Sequence, residues 1–388
     1  MLRPLKHFTP LKNWMNDPNG LIFYKGEYHL FYQHNPYGNN WGHMSWGHAS
    51  SKDLVIWKHL PIAIPENPNY AIFSGSVVHD EPNNRLVAIY TAHRSGNQSQ
   101  HLAFSYDDGK TWEDYSANPV LDINSAQFRD PKVFKYQDKW LMVVVKAHEE
   151  TCVFYVSENL INWKYLSEFK GEKLGLQWEC PDLFNLDGKW VLIFSVNEIG
   201  TSKYCGMKYY IGNFDGKNFF TKWKSSKIFD YGPDCFAGVT FNNSSERIMI
   251  AWMNNWLYAN EANANLWNGS MTIPRKLKIS QDRITQEFIV ESGTYNVKRG
   301  ISYFSYPEGN LILNLTEGFL YISRAEIWTG DLTEFKIPIS KSEISISALF
   351  DSGSIELNFE GISFTARLQV GTDVPEFKQK LSTEQILN

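Results

Sequence analysis

Five aromatic-rich hairpins recur along this chain at nearly constant spacing, and that beat constrains the fold more than any other feature. They are "LIFYKGEYHLFYQ", "SVVHDEPNNRLVAIYTA", "KVFKYQDKWLMVVVKA", "LFNLDGKWVLIFSV" and "VTFNNSSERIMIAWM". Their turns centre near Gly26, Asn84, Asp138, Gly188 and Asn243, in steps of 58, 54, 50 and 55 residues. A second signal keeps the same time: "SKDLVIW" ends at Trp57, "SYDDGKTW" at Trp112 and "SENLINW" at Trp163. Each follows its hairpin where a third strand would turn into a fourth. A period of this length filled by short strands is the mark of a β-propeller, and five units predict five blades. Helical periodicity is scarce, so the fold class is all-β.

Counting back from each turn brings acids into phase. Asp17 lies nine residues before Gly26, Asp130 eight before Asp138, Glu179 nine before Gly188 and Asp234 nine before Asn243; in the second unit the same phase falls on Gly75. The first strand of a blade lines the central channel, so these four acids are expected to gather at one mouth. Prolines beside them suit a strand edge that can spare a ladder donor. Converging carboxylates must raise some pKa values or hold a cation. A calcium loop of the D-x-D-x-D kind is missing from the sequence. Around the acids stand Trp14, Trp41, Trp46, Phe73, Trp178, Phe236 and Trp256 instead. Flat rings beside carboxylates suit a sugar, the rings covering C–H faces and polar groups taking hydroxyls. Paired carboxylates are also what glycoside hydrolysis uses. No metal and no cofactor is expected.

"SYDDGKTW" resembles the Asp-box of sialidases, a side-chain-capped turn with no catalytic part. The full set of motifs resembles glycoside hydrolase family 32, the β-fructofuranosidases. It comprises "WMNDPNG" (14–20), "FYQHNP" (31–36), "WGHMSWGHASSKDLVIW" (41–57), "FSGS" (73–76), "FRDPKV" (128–133), "WECPDLF" (178–184) and "IPRKL" (273–277). The resemblance implies Asp17 as nucleophile, Glu179 as general acid and then base, and Asp130 as transition-state stabiliser. It implies a fructose pocket of Asn16, Gln33, Trp41, Phe73 and Ser74, with Arg129, Asp234 and Trp256 as further substrate contacts. An apolar setting and neighbouring anions should raise the pKa of Glu179, and Arg129 should keep Asp130 ionised. His34, His43 and His48 read as packing or pocket residues, and Cys180 as packing against Glu179.

The implied activity is a retaining exo-β-fructosidase acting on sucrose, fructo-oligosaccharides and fructans such as inulin or levan. A fructosyltransferase, a sucrose-6-phosphate hydrolase and a non-catalytic carbohydrate-binding propeller stay open as alternatives. The stretch 34–50 holds no Lys or Arg, and the Trp41-Gly42 pair resembles the exo-inulinase and levanase branch, so unphosphorylated substrates are expected. His43, His48 and Arg94 are the groups that could receive a phosphate.

Residues 1–288 are expected to form the propeller. From 292 to 388 the Trp beat stops and alternating runs such as "NLILNL" and "SIELNF" predict a β-sandwich of only about 95 residues. Such a short domain suggests strands missing or supplied by a second copy, hence a possible homodimer. The final "KQKLSTEQILN" reads as a short helix or a tail. Net charge is −5, with no basic footprint for nucleic acid, and no apolar run is long enough for a membrane helix. The start "MLRPLKHFTP" lacks an apolar signal core, which points to the cytoplasm unless a signal was trimmed. Cys152, Cys180, Cys205 and Cys235 show no CxxC spacing and read as reduced thiols.

Overall fold

The computed structural model describes residues 3–198, 205–261, 266–306, 309–325, 332–368 and 375–381. Five sheets form the blades of a propeller, antiparallel throughout except that Trp267–Asn268 pairs parallel with Asn13–Trp14 in the first. The inner strands are Asn13–Tyr24, Ala71–Asp80, Phe128–Tyr136, Leu176–Leu186 and Phe236–Thr240. Among the described residues the only helical elements are three short 3-10 turns.

The sequence texture follows from how blades pack. A second strand is covered on both faces by neighbouring blades, so it reads as a continuous apolar run rather than an alternating one. Lys139–Lys146, KWLMVVVK, is buried from Trp140 to Val145. Its side chains alternate between neighbours. Met142 and Val144 pack toward the second blade with Val87 and Ile89, while Leu141, Val143 and Val145 pack toward the fourth with Trp178 and Leu192. Five such inter-blade cores close the ring, the last joining Leu30 of the first blade to Val239 and Ile250 of the fifth. Outer strands face water and are mostly polar, as in Lys164–Lys170.

The Ser-to-Trp beat marks the turns into those outer strands. Asp107 Oδ1 accepts the N–H groups of Lys110 and Thr111, at 3.1 and 2.9 Å, and Trp112 Nε1 donates to Gly109 O at 3.1 Å. Asp53 and Asn159 cap the equivalent turns of the first and third blades.

After Phe288 the chain enters a sandwich. One sheet runs Gly293–Lys298, Glu343–Phe350, Ser354–Phe359, Ile362–Arg367. The other runs Leu332–Pro338, Phe319–Ala325, Gly309–Leu315, Gly300–Tyr306, Glu376–Leu381. The short domain therefore builds both sheets from its own strands around one core that includes Phe304, Leu313, Ile346 and Phe364. The segment expected as helix or tail begins as strand: Lys378–Leu381 pairs with Gly300–Tyr303. The remainder of that segment lies outside the described residues.

Propeller and sandwich meet at a buried ionic seam. Arg275, from the "IPRKL" motif, binds Asp230 Oδ2 at 2.7 Å and Glu356 Oε2 at 2.6 Å. His7 spans Asp351 Oδ2 at 2.9 Å and Glu356 Oε1 at 3.0 Å. Backbone pairing continues across, with Tyr231 N–H donating to Ser363 O and Asp234 N–H to Thr365 O.

Candidate active site

Every inner strand carries a β-bulge near its start, two residues facing one on the second strand. The bulged pairs are Asn16–Asp17, Phe73–Ser74, Asp130–Pro131, Cys180–Pro181 and Ala237–Gly238. Asp130, Cys180 and Ala237 sit at φ of 63°, 47° and 55°, a left-handed conformation that non-glycine residues rarely adopt. Bulges re-aim side chains, and here five of them turn the strand ends into the channel. The prolines at 131 and 181 fall where the ladder is already interrupted.

This common frame corrects the phase read from the turns. Asp17 is the second residue of its bulge, Asp130 the first, and Glu179 the residue before. The acids occupy three staggered positions rather than one, because ten residues separate bulge from turn in the first blade (Asn16 to Gly26) and eight in the third and fourth (Asp130 to Asp138, Cys180 to Gly188), where the acids stand eight and nine residues before the turn. Asp234 precedes its strand altogether. It is fully buried at the seam, where it accepts the Arg367 N–H at 2.7 Å, binds the Tyr258 hydroxyl and lies 3.4 Å from Arg324 Nη1. The sandwich claims this side chain, so it does not reach the channel mouth.

Asp17, Asp130 and Glu179 line one cavity of about 300 Å³ with Asn16, Gln33, Trp41, Phe73, Ser74, Arg129 and Trp256, together with Gln177 and Asn197. Asp17 is held on both oxygens: Asn16 Nδ2 donates to Oδ1 at 2.9 Å and Ser74 Oγ to Oδ2 at 2.7 Å. Asn16 is itself fixed by Trp14 Nε1 at 2.7 Å. Asp130 Oδ2 accepts the Cys180 N–H at 3.0 Å, and its own N–H donates to Thr91 Oγ1 at 3.0 Å. The Cys180 thiol points at Asp17 Oδ2, 3.3 Å away, so it links Asp17 and Asp130 instead of packing on Glu179. Burial and the surrounding anions push that thiol far up, so it is a donor and not a thiolate.

Among the described residues lining the cavity Arg129 is the one cation, and it favours Glu179. Its Nη2 lies 3.0 Å from Glu179 Oε1, whereas its Nε is 3.8 Å from Asp130 Oδ2. Burial raises the Asp130 carboxyl to about 7; Arg129 opposes this, and Glu179 and Asp17 add to it. The expectation that Arg129 keeps Asp130 ionised therefore fails below neutrality, since one guanidinium cannot offset burial beside two other acids. The Glu179 carboxyl is also raised, by burial first and by Asp17 against the pull of Arg129. Its Oε2 has no protein partner.

Of the expected aromatic walls, Trp41, Phe73 and Trp256 face the cavity. Trp14, Trp46, Trp178 and Phe236 are buried behind it. Trp41 is 44% exposed at the rim, edge-on to Phe73. None of the three histidines lines the pocket: His34 binds Trp14 O, His43 pairs with Glu66 on the surface, and His48 stacks on Phe31 and binds His29. Arg94 stays outside too, 5.7 Å from the Tyr70 ring centroid. Gln177 and Asn197 escaped the sequence reading. They are cross-strand partners, and Gln177 shares a face with Glu179 by the two-residue period.

Comparison with known proteins agrees with this architecture. Residues 7–288 match the Glycosyl hydrolases family 32 N-terminal domain. A levanase of Bacillus subtilis (strain 168) is 46% identical over 303 residues, covering 71% of this chain and 45% of that protein. An extracellular exo-inulinase of Meyerozyma guilliermondii is 39% identical over 312 residues, covering 74% of this chain and 61% of its own length. The chain thus spans about half the length of such relatives. An exo-inulinase structure from Aspergillus awamori superposes with a TM-score of 0.85 at 29% identity, covering 97% of this chain and 94% of that one. The match across nearly the whole propeller places the chain in glycoside hydrolase family 32.

Proposed function

We propose that this protein is a retaining exo-β-fructosidase that releases terminal, non-reducing β-D-fructofuranosyl units from sucrose and fructo-oligosaccharides. The observation that carries the reading is the division of labour among three carboxyls around one pocket, Asp17 and Asp130 buried and Glu179 partly exposed. Asp17 is fixed on both oxygens by amide and hydroxyl donors, which suits a carboxylate that must attack along one line. Glu179, raised by burial, suits a proton donor near neutral pH.

In the first step Asp17 bonds to C2 of the fructosyl unit. The C2–O bond to the leaving sugar breaks, and that oxygen takes the Glu179 proton. In the second step the Glu179 carboxylate removes a proton from water, the water oxygen bonds to C2, and Asp17 leaves as a carboxylate. Asp130 and Arg129 hold fructose hydroxyls as positive charge builds at C2. Each bond formed by Asp17 in one step is broken in the next, so the anomeric configuration is retained.

The exo mode fits a pocket closed below and open at Trp41. The preference for unphosphorylated substrate fits a lining in which, among the described residues, the one cation is committed to Glu179. The names of the relatives, levanase and exo-inulinase, are consistent with fructosides as the substrate class. A panel of sucrose, 1-kestose, inulin, levan and sucrose 6-phosphate tests the reading. Fructose release from sucrose and short oligosaccharides is expected. A kcat/KM for sucrose 6-phosphate tenfold above that for sucrose, about 1.4 kcal/mol, would overturn it.

A further inference from the structure

Arg129 must hold one geometry to serve Glu179, and part of its support comes from outside the pocket. Its Nη2 donates to Glu179 Oε1 at 3.0 Å, while Nη1 donates to two amide oxygens, Gln127 Oε1 at 2.7 Å and Gln98 Oε1 at 3.4 Å. Gln98 is buried in the second blade, where it faces His93 across the hairpin of Arg85–Arg94 and Asn97–Ser105. Its backbone N–H is tied to Ser125 O at 2.8 Å, and its side-chain Nε2 lies 3.3 Å from His93 Nδ1. Neither Gln98 nor His93 lines the pocket.

The chemistry of this chain of contacts leaves one arrangement. A guanidinium only donates, so the end of the Gln98 amide turned to Arg129 is the oxygen. The NH2 end then faces His93 and donates, so Nδ1 is bare and the ring proton sits on Nε2. The imidazole is kept neutral, as this requires: burial first, and then the Arg129 charge, hold it below its ordinary range. Among the described residues Arg129 is the one charged group acting on it; Arg94, next along the strand, lies over the Tyr70 ring. A protonated Nδ1 would set two donors face to face. The amide would have to turn over, and its NH2 would then meet the Arg129 donor. The His93 ring also stacks on Phe73, one of the pocket's apolar walls, with centroids 4.4 Å apart and planes 13° apart.

We propose that His93 and Gln98 are positioning residues for the reaction. Neutral His93 fixes the Gln98 amide, the amide fixes Arg129, and Arg129 thereby keeps its place beside Glu179 and the substrate hydroxyls. The inference deepens the fructosidase reading and rests on it for its kinetic readout; the position of the ring proton does not depend on it.

Ring-nitrogen NMR on the intact chain should find the His93 proton on Nε2 and Nδ1 bare, the signal being assigned by its loss in His93→Asn. A proton on Nδ1 would overturn the proposal whatever the enzyme turns over. In kinetics, His93→Leu removes the acceptor and should lower kcat/KM on sucrose about fivefold, the scale of one hydrogen bond. His93→Asn also loses the stack on Phe73, but its Oδ1 stands where Nδ1 stood and accepts the same N–H. Its kcat/KM should therefore stay within about twofold of wild type. Gln98→Met should show the same loss as His93→Leu, and combining the two should lower the rate no further. His93→Asn as impaired as His93→Leu would make the ring a packing group behind Phe73, and losses that multiply in the double variant would separate the two residues; either result overturns the proposal. A wild-type chain inactive on every fructoside would count against the fructosidase reading, and the NMR result would still decide the relay.

Discussion

Two clusters of buried acids lie in this molecule, and they have opposite electrostatics. At the channel mouth Asp17, Asp130 and Glu179 share one guanidinium, and burial drives Asp130 up to about 7 and Glu179 upward. At the seam, Asp230, Asp351 and Glu356 meet Arg275 and His7. For Asp351 and Glu356 burial again pushes upward, but hydrogen bonds and charge from their partners outweigh it. Asp351 falls to about 2, Glu356 is lowered, and His7 rises to about 9 despite a burial penalty of its own. Burial is common to both clusters. The supply of partners decides whether a carboxyl is kept reactive or locked as a structural ion.

The contrast can be broken by substitution. Asp17→Ala should cut kcat/KM on sucrose by about 10⁴-fold or more, about 5.5 kcal/mol, with no loss in the thermal midpoint. An active but destabilised variant would make Asp17 a turn residue. Glu356→Gln should do the reverse. It leaves Arg275 to Asp230 and His7 to Asp351, and should cost about 3–5 kcal/mol in urea unfolding, with the folded fraction still active. Unchanged unfolding would mean that the seam is no more than a surface-type contact.

Smaller effects separate the clusters by pH. The folded Asp130 holds its proton up to about 7, above the ordinary value of 3.8, so its ionisation removes stability as pH rises between those values. Asp130→Asn should raise the midpoint at pH 8 and not at pH 4. His7 binds its proton more tightly folded than unfolded. Its contribution is complete below pH 6.5 and is lost as pH rises through about 9. His7→Gln should flatten that alkaline decline and leave the acid side alone. Midpoints measured from pH 4 to 10 check both; coincident windows would remove the distinction.

What could be read from the sequence was local or periodic. Turn residues and the Ser-to-Trp beat repeat once per blade, so the propeller was legible without any long-range contact. The bulges were not: two residues facing one is a property of pairing, and it shifts Asp17, Asp130 and Glu179 to staggered positions that turn-counting merges. Gln177 could have been found from strand period, two residues before Glu179; Asn197 required the pairing itself. Asp234 was misplaced because its partners, Arg324 and Arg367, are about a hundred residues away in the sandwich. The seam was hidden for the same reason, with His7 and Glu356 at opposite ends of the chain. That both sheets are built from strands of this chain also depended on register, since Glu376–Leu381 becomes a strand only against Gly300–Tyr306.

If Asp17 is the nucleophile of the cation-poor cluster, a covalent adduct should form on its carboxylate. Glu179→Ala lacks both the acid for the first step and the base for the second, so a fructoside with an activated leaving group should load the enzyme and hydrolyse slowly. Acid quenching, proteolysis and mass spectrometry should then find one fructosyl unit on the peptide containing Asp17, and added azide should release fructosyl azide with retained configuration. An unmodified Asp17 peptide together with an inverted first product would contradict the account.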